Sequence, residues 1–236
     1  MQPPEPPVIA AALERLRASQ GPFVPKPRLA IIDEMIATVL SQHTSDYNSE
    51  RAFAQLKAEF PTWEQVATAE QARVAEAIRS GGIASTKARR IQQILAAIAE
   101  REGRLDLTRL QDLDDAAVEE YLTSLPGVGP KTAACVLAFS MGRAAFPIDT
   151  HVHRITARLG WIHQGVTAEQ AYRILNPAIP PAIRYDLHLA FISHGRTVCK
   201  ARHPDCQGCV LREMCAYALH GEGSRASGGT VPGCAR

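Results

Sequence analysis

The chain lacks any run of eighteen apolar residues, so no segment is long enough to cross a membrane as a helix. It also lacks an excess of charge, since 26 Lys and Arg residues are balanced by 24 Asp and Glu residues. Such a balance does not by itself indicate a nucleic-acid partner, which must be argued from local clusters. The first seven residues, Met-Gln-Pro-Pro-Glu-Pro-Pro, do not form a signal peptide, so we expect an intracellular protein.

Strand-like alternation of apolar and polar residues is missing as well, and no internal repeat is present. Apolar residues recur at helical spacing instead. The clearest stripe lies within residues 29–40 and consists of Ile32, Met35, Ile36, Val39 and Leu40. Thr62 and Thr167 each precede a Gln by three residues, the capping-box pattern of a helix start. These patterns predict an all-α chain that forms one large domain or two closely associated ones.

The strongest functional signal lies in residues 122–151. Apolar spacing predicts a helix before Leu122 and another over residues 132–140, joined by the turn Leu-Pro-Gly-Val-Gly-Pro. Gly127 and Gly129 permit positive φ and the close approach of a partner. The turn amides and the positive end of the second helix can bind a phosphate without any side-chain charge.

Lys131 falls in the first turn of that second helix, where the helix dipole disfavours a cation. The neutral amine, which is the nucleophilic form of lysine, is therefore favoured. A Gly-Val-Gly turn alone is a weak signal, because DNA-binding hairpins without catalytic activity also contain it. A lysine at a helix start is, by itself, usually only solvated.

Four of the six cysteines form a C-x6-C-x2-C-x5-C array near the C-terminal end, at Cys199, Cys206, Cys209 and Cys215. Four thiolates this close can bind a [4Fe–4S] cluster, hold one zinc ion or form two disulfides. An intracellular location argues against disulfides. The spacing alone leaves the cluster and zinc both open. Cys135 lies on the apolar face of the helix after the turn and is predicted to be a core residue.

Residues 125–133, Leu-Pro-Gly-Val-Gly-Pro-Lys-Thr-Ala, and residues 148–151, Ile-Asp-Thr-His, together resemble the helix-hairpin-helix DNA glycosylases of the endonuclease III family. The resemblance covers about residues 25–218. It implies that Lys131 is the nucleophile, that Asp149 is its catalytic partner, and that the cysteine array binds a [4Fe–4S] cluster.

The resemblance also implies a two-lobed fold. A six-helix barrel domain would comprise residues 23–143, and a cluster domain would comprise residues 1–22 together with 144–220. The remaining Gly- and Ser-rich tail, residues 221–236, is predicted to be disordered.

Further DNA contacts follow from the same resemblance. Ile83, after Gly82, matches an apolar wedge that enters the duplex, although an ordinary packed turn residue is the alternative. Gln42, or His43 in a shifted register, matches a second residue that fills the space of the flipped base. Lys87 is predicted to hold phosphate or to be solvated. The remaining predicted contacts are Gly127, Val128, Gly129, His151, Lys200 and Arg202.

The function implied is that of a bifunctional DNA glycosylase and AP lyase that excises oxidised pyrimidines and nicks the strand by β-elimination. The expected partner is double-stranded DNA with a damaged base or an abasic site, bound by a monomer in the cytoplasm near the nucleoid. The alternatives are a monofunctional thymine- or adenine-mismatch glycosylase and a DNA-binding module without catalytic activity. Lys131 argues against the adenine-specific enzymes, which lack this lysine, and Asp149 argues against a binding module.

Overall fold

The computed structural model describes residues 3–23 and 27–220, and these ranges contain α-, 3₁₀- and π-helical segments without a β-strand. The predicted all-α class is confirmed. The chain divides into two compact units, one of Met1–Val24 with Ile148–Arg236 and one of Pro25–Pro147. The predicted tail, 221–236, lies outside the described residues. No helix in the described ranges has the length and hydropathy of a membrane span.

The unit Pro25–Pro147 is built from seven α-helices within its described residues. They are α2 (Ile31–Ser41), α3 (Asp46–Glu59), α4 (Trp63–Thr68), α5 (Gln71–Ala77), α6 (Ala84–Glu102), α7 (Asp115–Thr123) and α8 (Pro130–Cys135). Short 3₁₀ segments at Arg79–Gly81 and Thr108–Asp112 join some of them. The predicted stripe of α2 is buried throughout, which confirms it as a core-facing surface.

Helix α6 is the longest in this unit and carries a second buried stripe. Ile91, Ile94, Leu95 and Ile98 are all inaccessible to solvent. The helix ends at Gly103, whose positive φ of 71° forms a left-handed C-cap. The loop that carries Ile83 leads directly into the start of α6. The packing of α6 in the core therefore anchors that loop at one end.

Helix α8 begins at Pro130, whose fixed φ suits the first helical position, and it continues directly into a π-helical segment, Val136–Ser140. Both segments are almost wholly buried, including Cys135 as predicted. Ser140 Oγ donates to Leu29 O at 2.8 Å, which fixes the end of the segment against the start of the unit. The helix after the turn is therefore a rigid core element.

The other unit contains α1 (Pro6–Gln20), α9 (Thr150–Leu159), α10 (Ala168–Ala178), α11 (Arg184–Thr197) and α12 (Ala216–His220) within its described residues. Helix α1 packs on α11, which packs on α9. The capping boxes predicted at Thr62 and Thr167 are both formed, at the starts of α4 and α10. These hydroxyls satisfy amides that have no partner within their own helix.

Candidate functional site

The turn between α7 and α8 forms the predicted hairpin. Gly127 has φ of +71°, which favours glycine, and a Cβ there would lie 2.7 Å from Nε of the Arg90 side chain, which would have to move. Gly129 differs from the prediction because its φ is −99°. A Cβ on Gly129 would meet nothing within 4 Å, so no contact in the described ranges demands glycine there.

Val128 was predicted as a DNA contact, and the structure contradicts this. Its side chain is only 5% exposed. Its amide donates to Leu125 O at 3.2 Å, which closes the turn. Val128 therefore packs the hairpin. The amides of Gly127 and Gly129 have no backbone partner within residues 3–23 and 27–220, so they are the donors available to an anion.

Lys131 is the second residue of α8 and is half-buried. Thr132 and Ala133, which follow it, are buried and both donate their amides to Gly129 O, at 3.0 and 3.1 Å. The backbone that carries the lysine is thus fixed by the core on one side and by the hairpin on the other. Its backbone lies at the helix end whose first amides have no partner within the helix.

Asp149 is the N-cap of α9, and its Oδ1 accepts from the amide of Val152 at 2.7 Å. The carboxylate is half-buried and is held by the helix it caps. His151 lies in the first turn of the same helix. Its Nδ1 accepts from Arg154 Nη2 at 3.0 Å, because a guanidinium can only donate, and Nε2 therefore carries the ring proton.

The four cysteines of the array line one pocket. Burial raises the pKa of the Cys209 thiol, and the neighbouring thiols of Cys199, Cys215 and Cys206 raise it further. His194 Nε2 lies 3.5 Å from Cys209 Sγ, and burial lowers the pKa of this imidazole to about 4. In the described ranges, no three His, Cys, Asp or Glu side chains are arranged to hold a single metal ion.

Two arginines of α9, which the sequence analysis did not single out, organise the array. Arg158 Nη1 donates to Cys199 Sγ at 3.2 Å and to Lys200 O at 2.7 Å. Arg154 Nε donates to Cys199 O at 3.0 Å. The available signal was their spacing of four residues, which puts them on one face of the helix that Asp149 caps. The carboxylate and the cysteine loop are therefore attached to the same helix.

The loop after Cys199 presents its basic residues outward. Lys200 and Arg202 are exposed, as a phosphate contact requires. Arg158 Nη2 also donates to Ala201 O at 3.1 Å, so the backbone between the two side chains is fixed.

The turn before α6 carries the predicted wedge. Ile83 is 59% exposed and has φ of 47° and ψ of 41°, which is left-handed and unfavourable for a β-branched residue. At the end of α2, Gln42 is half-buried and its Oε1 accepts from Arg90 Nη1 at 3.1 Å, while His43 is exposed with φ of 55°. Of the two predicted filling residues, His43 is the one presented to solvent.

Lys87 was predicted as a phosphate contact or a solvated residue, and the structure contradicts both. Its side chain belongs to the core, with 5% of the residue exposed. The ammonium donates to the carbonyls of Leu40, Gln42 and Gly81 at 2.7, 2.6 and 2.7 Å. Helical spacing alone could not reveal this, because the acceptors come from two distant turns.

The chain is similar in sequence to a known family of proteins. Residues 36–181 match the model of the HhH-GPD superfamily base excision DNA repair proteins. Over 167 residues the chain is 41% identical to a candidate DNA glycosylase of Arabidopsis thaliana, matching 71% of this chain and 57% of the relative's length. It is 35% identical over 190 residues to endonuclease III of Thermotoga maritima, matching 80% of this chain and 84% of that protein.

A solved structure of a trapped endonuclease III–DNA covalent intermediate with an estranged adenine has a TM-score of 0.78 to this chain. The two are 26% identical, and the match covers 93% of this chain and 99% of the other.

Proposed function

The chain belongs to the endonuclease III family within the HhH-GPD superfamily of base excision DNA repair proteins, a family of DNA glycosylase and AP lyase enzymes, and we propose that it is bifunctional. It removes an oxidised pyrimidine from double-stranded DNA and then cuts the strand at the resulting site. The observation that supports this most strongly is the presence of the nucleophile, Lys131, at the start of α8 beside the unpartnered amides of the hairpin turn. The carboxylate of Asp149 is the second catalytic group that we assign.

The chemistry assigned to these residues is covalent. The Lys131 amine forms a bond to C1′ of the sugar as the C1′–N bond to the base breaks, and the base leaves with that electron pair and a proton. Opening of the sugar ring gives an imine between Lys131 and C1′. Loss of a proton from C2′ then expels the 3′ phosphate by β-elimination, and hydrolysis of the imine releases the lysine.

Asp149 stabilises the positive charge that develops on the sugar as the base departs and accepts the proton that the attacking amine loses. Its Oδ1 is engaged by the cap of α9, so Oδ2 is the oxygen assigned to these tasks. The cap fixes the orientation of the carboxylate before substrate binds, which is the preorganisation that charge stabilisation needs.

The phosphate backbone is bound by groups on separate elements. The amides of Gly127 and Gly129 act at the hairpin, and the side chains of Lys200 and Arg202 act on the cysteine loop. His151 lies in the first turn of α9, where its Nε2–H is a donor suited to the same backbone.

The four cysteines fit a [4Fe–4S] cluster, which we assign to them. They line one pocket with an all-thiol donor set, and Arg158 Nη1 lies 3.2 Å from Cys199 Sγ, where it can donate to a thiolate ligand. When bound, the cluster supplies structural rigidity and electrostatics to the loop. This chain's own contribution is to fix that loop to α9 through Arg154 and Arg158.

A colour and metal measurement tests the cluster assignment. The purified protein is expected to be yellow-brown, to absorb visible blue light and to contain about four iron atoms per chain. Cys209→Ala should lose the colour and most of the iron. Cys135→Ala, which removes a buried thiol from the other unit, should keep both. Stoichiometric zinc without iron in the wild type would contradict the cluster.

A product assay tests the proposed function. The substrates are a duplex with one oxidised pyrimidine, duplexes with a thymine or adenine mismatch, and an undamaged control. We expect a strand cut at the oxidised pyrimidine without alkaline treatment. A monofunctional mismatch glycosylase would leave an uncut abasic site, and a binding module would leave every substrate intact.

A further inference from the structure

Lys87 is a buried cation whose hydrogen-bonding capacity is used completely inside the protein. An ammonium has three N–H donors, and three backbone carbonyls accept from Lys87 at 2.6–2.7 Å. No donor remains for a phosphate. An apolar residue in its place would remove this donor from three carbonyls, of which those of Leu40 and Gly81 are in buried contacts, and an unsatisfied buried carbonyl is costly.

The three carbonyls belong to the two turns that carry the predicted intercalating residues. Leu40 and Gln42 close α2 immediately before His43, and Gly81 closes the 3₁₀ segment two residues before Ile83. One side chain thus connects two turns that are some forty residues apart in sequence.

Arg90, one turn further along α6, extends this connection to the hairpin. Its Nη1 donates to Gln42 Oε1 at 3.1 Å. Its side chain also occupies the space that a Cβ on Gly127 would need, 2.7 Å from Nε. Lys87 and Arg90, which we call the α6 cation pair, therefore contact all three turns of this unit to which DNA contacts have been assigned.

Both intercalating residues need such support because their backbones are strained. Ile83 and His43 have φ of 47° and 55°, in the left-handed region. That region is unfavourable for an L-residue, and it persists only where surrounding contacts impose it. Lys87 donates to Gln42 O, one residue before His43, and to Gly81 O, two residues before Ile83. Burial lowers the pKa of Lys87 because it disfavours the charged form, and the three carbonyl acceptors oppose that effect.

We propose that the α6 cation pair is a positioning device that holds the turns of His43 and Ile83 at a fixed separation, so that both side chains enter the duplex together when a base is flipped. This rests on the proposed glycosylase function. Lys87 and Arg90 touch neither the sugar nor the base. They control extrusion of the base, and the chemistry at Lys131 does not depend on them.

The test compares a substrate that must be flipped with one that need not be. The first reading is single-turnover excision from a duplex with one oxidised pyrimidine. The second is borohydride trapping to a preformed abasic site in single-stranded DNA. Lys87→Met should slow the first by about 100-fold, the scale expected when an assembly is misplaced by about 1 Å. The same variant should keep borohydride trapping to the preformed abasic site within about twofold of the wild-type rate.

Arg90→Met provides a second variant if Lys87→Met folds poorly, because Arg90 is only half-buried. It should show the same pattern with a smaller loss. Arg89→Met is its control, since it removes an exposed charge from the same helix and should change both readings by the same factor. Ile98→Ala lowers stability from the buried face of α6 and should likewise not separate the two readings.

A double-mutant cycle shows whether Lys87 acts through the wedge. If it does, Ile83→Ala slows excision in the wild type but adds little in the Lys87→Met background. Additive losses of excision rate in the double mutant would overturn the inference. It would also be overturned if Lys87→Met lowered excision and trapping equally, or lowered neither. Failure of the wild type to trap at all would instead overturn the proposed function, so the two failures are distinct.

Discussion

Replacing Lys131 by Gln is expected to abolish borohydride trapping to abasic DNA and strand cleavage. Glutamine has no amine that can form an imine, yet its helix propensity is close to that of lysine. Single-turnover excision of an oxidised pyrimidine should also fall by at least about 1,000-fold, or about 4 kcal/mol in activation free energy. The measurements are gel-resolved trapping and single-turnover kinetics.

The control for this variant is Lys200→Gln, which removes an exposed lysine from the cysteine loop. It should weaken DNA binding and its salt dependence while leaving trapping at saturating enzyme intact. Undiminished trapping by Lys131→Gln would show that another amine is the nucleophile. Normal excision with loss of cleavage alone would show that Lys131 serves only the lyase step.

Replacing Asp149 by Asn should separate the chemical role of the residue from its structural role. Asn keeps an oxygen that can accept from the Val152 amide, so the cap of α9 and the unfolding free energy are largely preserved. The negative charge is lost, so single-turnover excision should fall by about 100- to 10,000-fold. DNA affinity should be retained or increased, because a carboxylate near phosphates is removed.

Asp149→Ala is the matched comparison. It loses both the charge and the cap, so it should show the same loss of excision and a further loss of about 1 kcal/mol in stability. Thermal or urea unfolding measures the second effect. If Asp149→Asn kept full turnover, the carboxylate would be only a helix cap, and the assignment of Asp149 to catalysis would be wrong.

The parts of the fold that the sequence predicted well are those that local spacing determines. The stripe of α2 follows from burial on one helical face, and the capping boxes at Thr62 and Thr167 follow from hydrogen bonds three residues apart. The start of α1 follows a local rule too, because proline is compatible with the first turn of a helix and α1 begins at Pro6.

The errors at the candidate site concern contacts between distant residues. Lys87 looks like a surface cation at a helix start, and only the carbonyls of Leu40, Gln42 and Gly81 turn it inward. Val128 lies between two glycines that suit a close approach, but its side chain fills the core.

The contribution of α9 was missed for the same reason. Arg154 and Arg158 bond to a loop about forty residues away, which sequence spacing does not encode. The identities of Lys131, Asp149 and the four cysteines came from the motif resemblance, since neither periodicity nor composition distinguishes a nucleophile from a solvated lysine.

The proposed mechanism depends on a covalent bond between the Lys131 amine and C1′ of the damaged nucleotide. The most direct measurement is mass spectrometry of peptides from the borohydride-reduced adduct formed on a duplex with one oxidised pyrimidine. We expect the sugar remnant to be attached to Lys131 alone. Attachment to any other amine, or a wild-type reaction that removes the base and yields no adduct, would contradict it.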